Sequence, residues 1–143
     1  VGFGHKSEHI SGLTALGHID DERLMPVIYS AADVFLSCAA EESFGQTVLE
    51  ASACGTPAIA LQVGGIPDII KNSGMGILID QPQPELFIRE ILMLATDPAR
   101  RDALGAEAHH SAREHFSLEA QRARWQQYWD RRFGERQQSA HGL

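Results

Sequence analysis

The sequence has 143 residues, the length of about one domain, and a formal net charge of -7. Up to Ala99 four bases face thirteen acids, and this balance excludes a nucleic-acid binder, which would present a basic face. No apolar stretch reaches the roughly 18 residues of a membrane-spanning helix and no signal peptide is indicated, so we expect a cytoplasmic protein.

Short apolar segments alternate with helical patterns in the first half of the chain. The predicted elements are, in order, a strand end at Val1 to Gly4, a strand over Leu13 to Leu16, a helix start around Leu24 to Tyr29, a strand over Asp33 to Ser37, a helix from about Gly45 to Cys54, a strand over Ala58 to Leu61, a helical turn over Ile66 to Ile70, and a strand over Gly76 to Ile79. This alternation predicts an α/β fold, with a Rossmann-like parallel sheet covered by helices on both faces.

From Pro84 the pattern is helical to the end of the chain. Asp97-Pro98 separates a first amphipathic helix from a second that ends near Phe116, and Ser117 is the predicted N-cap of a third. The third helix carries an apolar stripe that we interpret as packing against the sheet or a partner domain, formed by Leu118, Trp125, Trp129 and Phe133. Residues 137–143 have the composition of a frayed tail. We therefore divide the chain into a Rossmann-like domain over 1–116, incomplete at its N-terminus, and a C-terminal helix and tail over 117–143.

Two glutamates frame the most informative segment. Glu42 lies in a loop just ahead of a predicted helix N-terminus, and Glu50 lies about two turns along that helix. Between them, a helix start leaves backbone N–H groups unpaired, and such groups bind phosphate. A nucleotide sugar offers matching chemistry, because its diphosphate suits the N–H groups and its two sets of hydroxyls suit the two carboxylates.

The order and spacing of the motifs resemble the nucleotide-sugar-binding half of the family 4 glycosyltransferases, which have the two-domain GT-B fold. The resemblance rests on Ala31-Ala32-Asp33-Val34-Phe35, Glu42-Ser43-Phe44-Gly45, Glu50-Ala51, Cys54-Gly55-Thr56-Pro57, Gly64-Gly65-Ile66-Pro67 and Gly76-Ile77-Leu78. It implies that the chain is the C-terminal half of a GT-B fold. The same series is similar to bacterial enzymes of exopolysaccharide, capsule or lipopolysaccharide synthesis.

The resemblance implies a role for each residue of the segment. Glu42, the candidate catalytic residue, would hold hydroxyls of the donor sugar, and Glu50 would bind the ribose. The phosphates would meet the backbone N–H groups from Phe44 to Val48, where Gly45 lets the backbone approach. The full set of candidate donor-binding residues is Glu42, Ser43, Phe44, Gly45, Gln46, Thr47, Val48, Glu50, Gly64 and Gly65. Gly64-Gly65 could also be only a turn.

The function that follows is the donor-binding part of a retaining glycosyltransferase. The resemblance implies that the enzyme takes a UDP- or GDP-sugar, needs no metal or other cofactor, and transfers the sugar to a glycan or lipid-linked acceptor held by a separate N-terminal domain. Peripheral membrane association of the full protein is compatible with such an acceptor. The cations that neutralise the diphosphate in that family lie in an upstream segment, and before the motif this chain has only Lys6 and Arg23 as bases.

Two other classes stay open at this point. One is a non-catalytic nucleotide- or sugar-binding module, and the other is a different GT-B enzyme such as a nucleotide-sugar epimerase. A phosphorylase would need a lysine that carries pyridoxal phosphate, and neither Lys6 nor Lys71 has a supporting context.

The histidines and cysteines carry weaker signals. His109, His110 and His115 lie on a polar helix without carboxylates or cysteines at ligand spacing, which favours solvated side chains over a metal site. Cys38 and Cys54 have neither metal-site nor redox-motif spacing, and we expect both to be buried thiols.

Overall fold

The computed structural model describes residues 11–71 and 74–139, with side chains up to residue 133. The strand end predicted at Val1 to Gly4 lies outside these residues. The first helical element of the described residues is a 3-10 turn over Glu22–Leu24. The elements that follow are α1 (Met25–Ser30), β1 (Phe35–Ser37), α2 (Gln46–Ala53), β2 (Ala58–Leu61), α3 (Ile66–Ile70), β3 (Gly76–Ile79), α4 (Pro84–Thr96), α5 (Pro98–Phe116) and α6 (Leu118–Ser139).

The three strands form one parallel sheet in the order β1-β2-β3. In this register Phe35 pairs with Ala58, and Ile59 pairs with Ile77. Every residue of the central strand β2 is buried, which explains why its sequence is a continuous apolar run rather than an alternating one. The predicted α/β fold with a parallel sheet is confirmed.

Helices cover both faces of this sheet. On one face Ala58 and Ala60 of β2 join a core cluster with Val48 of α2, α3 and α5. On the other face Ile59 and Leu61 pack with the apolar side of α4. Successive strand residues point to opposite faces. The residues of β2 are therefore small on the face where α2, α3 and α5 pack, and large on the face where α4 packs.

As predicted, α4 and α5 meet at Asp97-Pro98, and α6 begins directly after Ser117. The Asp97 carboxylate accepts a hydrogen bond from the Arg100 N–H at 3.0 Å and caps α5. The Ser117 hydroxyl accepts one from the Ala120 N–H at 3.1 Å and caps α6. Both contacts satisfy N–H groups that a helix start leaves unpaired. The division of the chain at residue 117 stays a prediction.

The apolar stripe of α6 does not pack on the sheet. Trp125 is 57% exposed and Trp129 is 50% exposed, and Leu118 and Phe133 are exposed too. The aromatic rings lie against one another instead, with Trp129 stacked on Phe133 at a centroid distance of 4.8 Å. The prediction of packing on the sheet is wrong because α6 leaves the sheet layers. Packing on a partner domain stays a prediction.

Three further expectations differ from the structure. Leu13 to Leu16 contains a single bridge residue, Ala15, in place of a strand. Cys38, in the loop after β1, is exposed, and Cys54, which caps the C-terminus of α2, is half-buried. Residues 137–139 continue α6 and do not form a tail. Within the described ranges, no helix combines the length and apolar character needed to cross a bilayer.

Candidate functional site

The candidate site lies at the carboxyl edge of the parallel sheet. The loop after β1 carries Glu42 and leads into α2, and the loop after β2 carries Gly64 and Gly65. Because parallel strands end at the same edge, these two loops meet there. The Gly65 N–H donates to the Ser43 carbonyl at 3.2 Å, which joins them directly.

The Glu42 carboxylate turns back on its own loop. Its Oε1 accepts a hydrogen bond from the Phe44 N–H at 3.2 Å, while the ring of Phe44 is half exposed. Ionised oxygens accept such bonds strongly, so this contact fixes the carboxylate beside the start of α2. It also occupies the Phe44 N–H, which the sequence placed among the phosphate donors.

Helix α2 begins at a glycine in the left-handed region. Gly45 has a φ of 95°, and no side-chain hydrogen bond caps the helix within the part of the chain that the structure describes. A Cβ at Gly45 would lie 2.8 Å from Cγ1 of Ile66. The glycine is therefore required twice, by its backbone angle and by the close contact with α3.

The next three residues have different exposures. Gln46 is exposed, Thr47 is half-buried and Val48 is buried in the core. The side chain of Val48 therefore cannot reach a ligand, and only its backbone N–H belongs to the predicted site. An uncapped helix N-terminus carries partial positive charge and favours an anion.

The Gly64-Gly65 loop packs on the Glu42 loop. A Cβ at Gly64 would overlap the Glu42 carbonyl oxygen, and a Cβ at Gly65 would lie 2.7 Å from the Phe44 carbonyl oxygen. Gly64 also has a φ of 52°. These glycines allow two backbones to touch, so the structure gives them a packing reason whether or not they approach a donor.

Glu50 is held by a residue that the sequence did not single out. The Tyr29 hydroxyl, on α1, donates to Oε2 of Glu50 at 3.0 Å. Burial and the Glu50 carboxylate raise the pKa of the Tyr29 phenol well above its ordinary value. The only local signal for this contact was a phenol on an otherwise apolar helix, since the two residues are 21 positions apart.

The two glutamates lack cationic partners among the described residues, where the ion pairs involve other acids. The arrangement therefore offers two carboxylates and a helix N-terminus. It can accept hydrogen bonds from hydroxyls and donate them to an anion.

The α5 histidines make contacts of their own. His109 Nδ1 lies 2.7 Å from the Ala53 carbonyl oxygen at the C-terminal end of α2. His110 pairs with Glu114 at 3.1 Å, one helical turn along. His109 is thus tied to the end of α2 that lies opposite Glu42, and His110 is tied to a side chain of its own helix.

Comparison with known proteins identifies the family. The model of "Glycosyl transferases group 1" matches residues 7–111. The D-inositol 3-phosphate glycosyltransferase of Streptomyces bingchenggensis is 42% identical over 84 residues, which cover 59% of this chain and 18% of that protein. The enzyme of the same name from Rhodococcus jostii is 41% identical over 98 residues, which cover 68% and 21%. The chain spans about a fifth of the length of these curated relatives.

Solved structures give the same answer for the fold. A sucrose-phosphate synthase from Thermosynechococcus elongatus superposes with a TM-score of 0.73 and 33% identity, over 85% of this chain and 30% of that one. Anabaena HepE in complex with UDP superposes with a TM-score of 0.69 and 22% identity, over 80% and 31%. The predicted resemblance to the C-terminal half of a GT-B glycosyltransferase is confirmed.

Proposed function

This chain belongs to the group 1 glycosyltransferases, and from that membership we propose that it binds the nucleotide-sugar donor of a retaining enzyme. One observation carries the proposal. At the carboxyl edge of the sheet, Glu42 is fixed beside a helix N-terminus without a side-chain cap, and Glu50 follows about one turn into the same helix. This edge is where open parallel sheets bind ligands.

Each part of the donor meets a group of matching chemistry. The diphosphate is proposed to lie at the N-terminus of α2, which begins at the left-handed turn that Gly45 makes possible. Glu42 is proposed to accept hydroxyls of the transferred sugar, and Glu50 those of the ribose. Solved relatives of the same fold hold UDP and UDP-glucose, and this supports a uridine nucleotide as the first donor to test.

The Phe44 N–H adds a condition to this proposal. In the structure it donates to Glu42, so a phosphate that used it would have to displace that carboxylate. We propose instead that the Phe44 N–H keeps Glu42 in place while the phosphate uses the N–H groups that follow. This division gives each group of the loop a single partner.

The rest of the enzyme is proposed to complete the site. Cations for the diphosphate and the wall that binds a glycan or lipid-linked acceptor are expected outside these residues. A role in bacterial polysaccharide or lipopolysaccharide synthesis, peripheral membrane association, a cytoplasmic location and transfer without a metal also belong to the proposal. Activity that is unchanged by EDTA would support the last point.

The test is a titration of the full-length protein with UDP, GDP, ADP and their common sugar conjugates. We expect Glu42→Gln and Glu50→Gln to weaken donor binding roughly ten- to a hundredfold, because each removes charge-assisted hydrogen bonds of about 1.5–3 kcal/mol. Glu42→Gln should weaken the binding of the sugar conjugate more than that of the free nucleotide. Glu50→Gln should weaken the binding of both.

The matched control is Glu41→Gln, because Glu41 is an exposed acid in the same loop. It should leave binding unchanged. Equal losses for all three variants would mean that only the net charge of the loop matters, and the site assignment would be wrong. The acceptor assay should include D-inositol 3-phosphate, the acceptor for which the curated relatives are named, and product analysis would separate transfer from epimerisation.

A further inference from the structure

Tyr29 connects the interior of the domain to the Glu50 carboxylate. Tyr29 is 2% exposed, whereas Glu50 is half-buried, and the bond from the phenol to Oε2 measures 3.0 Å. One carboxylate oxygen is thus held from the protein interior while the residue keeps contact with solvent. A ligand that approaches from solvent would meet a carboxylate whose orientation is already set.

Tyr29 itself is fixed from two further directions. The Thr56 hydroxyl donates to the Tyr29 carbonyl at 2.7 Å, and this bond is buried. The Tyr29 ring meets Phe35 of β1 edge to face, at a centroid distance of 5.6 Å. The backbone and the ring are therefore both held, which fixes the position of the hydroxyl.

The chemistry of the pair suits positioning. A protonated phenol can donate a hydrogen bond, and the raised pKa keeps Tyr29 protonated at neutral pH. An ionised carboxylate has about four acceptor positions, so one bond to Tyr29 leaves room for the hydroxyls of a ligand. A side chain that is immobilised beforehand loses less rotamer freedom when the ligand binds.

We propose that Tyr29 is a positioning residue that orients Glu50 toward the ribose hydroxyls of the donor. The inference rests on the proposed function, in which Glu50 binds the ribose. Tyr29 does not touch the donor itself. It acts through Glu50, so its loss should affect only the part of the affinity that comes from the ribose hydroxyls.

The experiment uses the full-length protein, with UDP and GDP as probes beside their 2′,3′-dideoxy analogues, which lack the ribose hydroxyls. Calorimetric titration gives the ratio of the two affinities for each nucleotide. We expect the wild type to prefer the hydroxylated nucleotide, and Tyr29→Phe to reduce that preference about three- to tenfold, the effect of one hydrogen bond. Affinity for the dideoxy analogue should not change.

Two comparisons make the result specific. Tyr128→Phe removes the hydroxyl of the other tyrosine, which is exposed on α6, and should leave the preference unchanged. Tyr29→Phe removes one oxygen and keeps the ring that packs on Phe35, so the fold should persist, as thermal unfolding would verify. If Tyr29→Phe weakened the binding of a nucleotide and of its dideoxy analogue equally, the role of Tyr29 would be structural alone and the inference would be overturned.

Glu50→Gln separates this inference from the function on which it rests. If Glu50→Gln abolishes the preference while Tyr29→Phe leaves it intact, the role of Tyr29 is wrong and the ribose assignment stands. If Glu50→Gln leaves the preference intact, the ribose assignment fails and the role of Tyr29 fails with it. If the wild-type protein binds neither UDP nor GDP, both the ribose assignment and the role of Tyr29 are overturned.

Discussion

The segment from Glu42 to Ile70 and the helix α6 both carry large apolar side chains, but the described residues bury most of those in the first and leave those of α6 exposed. Val48 and Ile66 are fully buried among α2, α3, α5 and the sheet. Trp125 and Trp129 on α6 remain half exposed and contact their aromatic neighbours along the same helix.

This difference separates two kinds of sequence signal. In the Glu42 to Ile70 segment, glycines and apolar residues are required by contacts that the structure contains, and the placement of the polar groups follows from those contacts. On α6 an apolar stripe at helical spacing predicted burial, but the spacing alone does not say what covers it. The Glu42 to Ile70 segment therefore presents its polar groups in a defined arrangement, which a functional site requires.

The largest expected effect comes from the core behind the site. Leu94 of α4 is fully buried against the face of β2 that carries Ile59 and Leu61. Leu94→Ala should lower the free energy of unfolding by about 2–5 kcal/mol, because it removes apolar contacts and leaves a cavity. Urea unfolding of the 143-residue chain measures this. A loss well below that range would mean that α4 packs more loosely than the structure shows.

A smaller effect tests the contact between the two site loops. Gly64→Ala would place a Cβ on the Glu42 carbonyl oxygen, whereas Gly17→Ala, at a similar φ of 68°, would meet no atom of the described residues within 4 Å. Both variants carry the strain of a left-handed residue, so their difference isolates the steric overlap. Gly64→Ala should be less stable by about 1–3 kcal/mol in urea unfolding. Equal stabilities would show that the loops can separate freely.

Local sequence patterns were sufficient to predict most of the fold. The boundaries of β2, α3 and β3 agree with the prediction, because each is a short apolar run bounded by glycine, proline or polar residues. Leu13 to Leu16 has a similar composition but forms only a bridge residue. Composition alone therefore does not decide whether a short apolar segment becomes a strand.

The contacts within the candidate site were harder to predict from the sequence than the fold. The positions of Glu42 and Glu50 around the start of α2 follow from local helix signals, so they could be predicted. The contact from Tyr29 to Glu50 depends on how α1 packs on α2, and the overlap between Gly64 and Glu42 depends on two loops after different strands. Such long-range contacts leave no local pattern, which explains why Gly64-Gly65 could be interpreted either as a turn or as part of the site.

The smallest expected effect concerns α6. Trp129→Ala in the 143-residue chain should change the free energy of unfolding by no more than about 0.5 kcal/mol, since half of its surface is already exposed and alanine favours helix. Urea unfolding of this variant and of Leu94→Ala under the same conditions compares an exposed with a buried apolar side chain.

In the full-length protein the same substitution tests the predicted partner domain. If that domain covers the apolar stripe of α6, Trp129→Ala should lower the free energy of unfolding several times more there, because a buried apolar contact is then lost. An equally small effect in both would leave the aromatic stripe as solvent-facing surface.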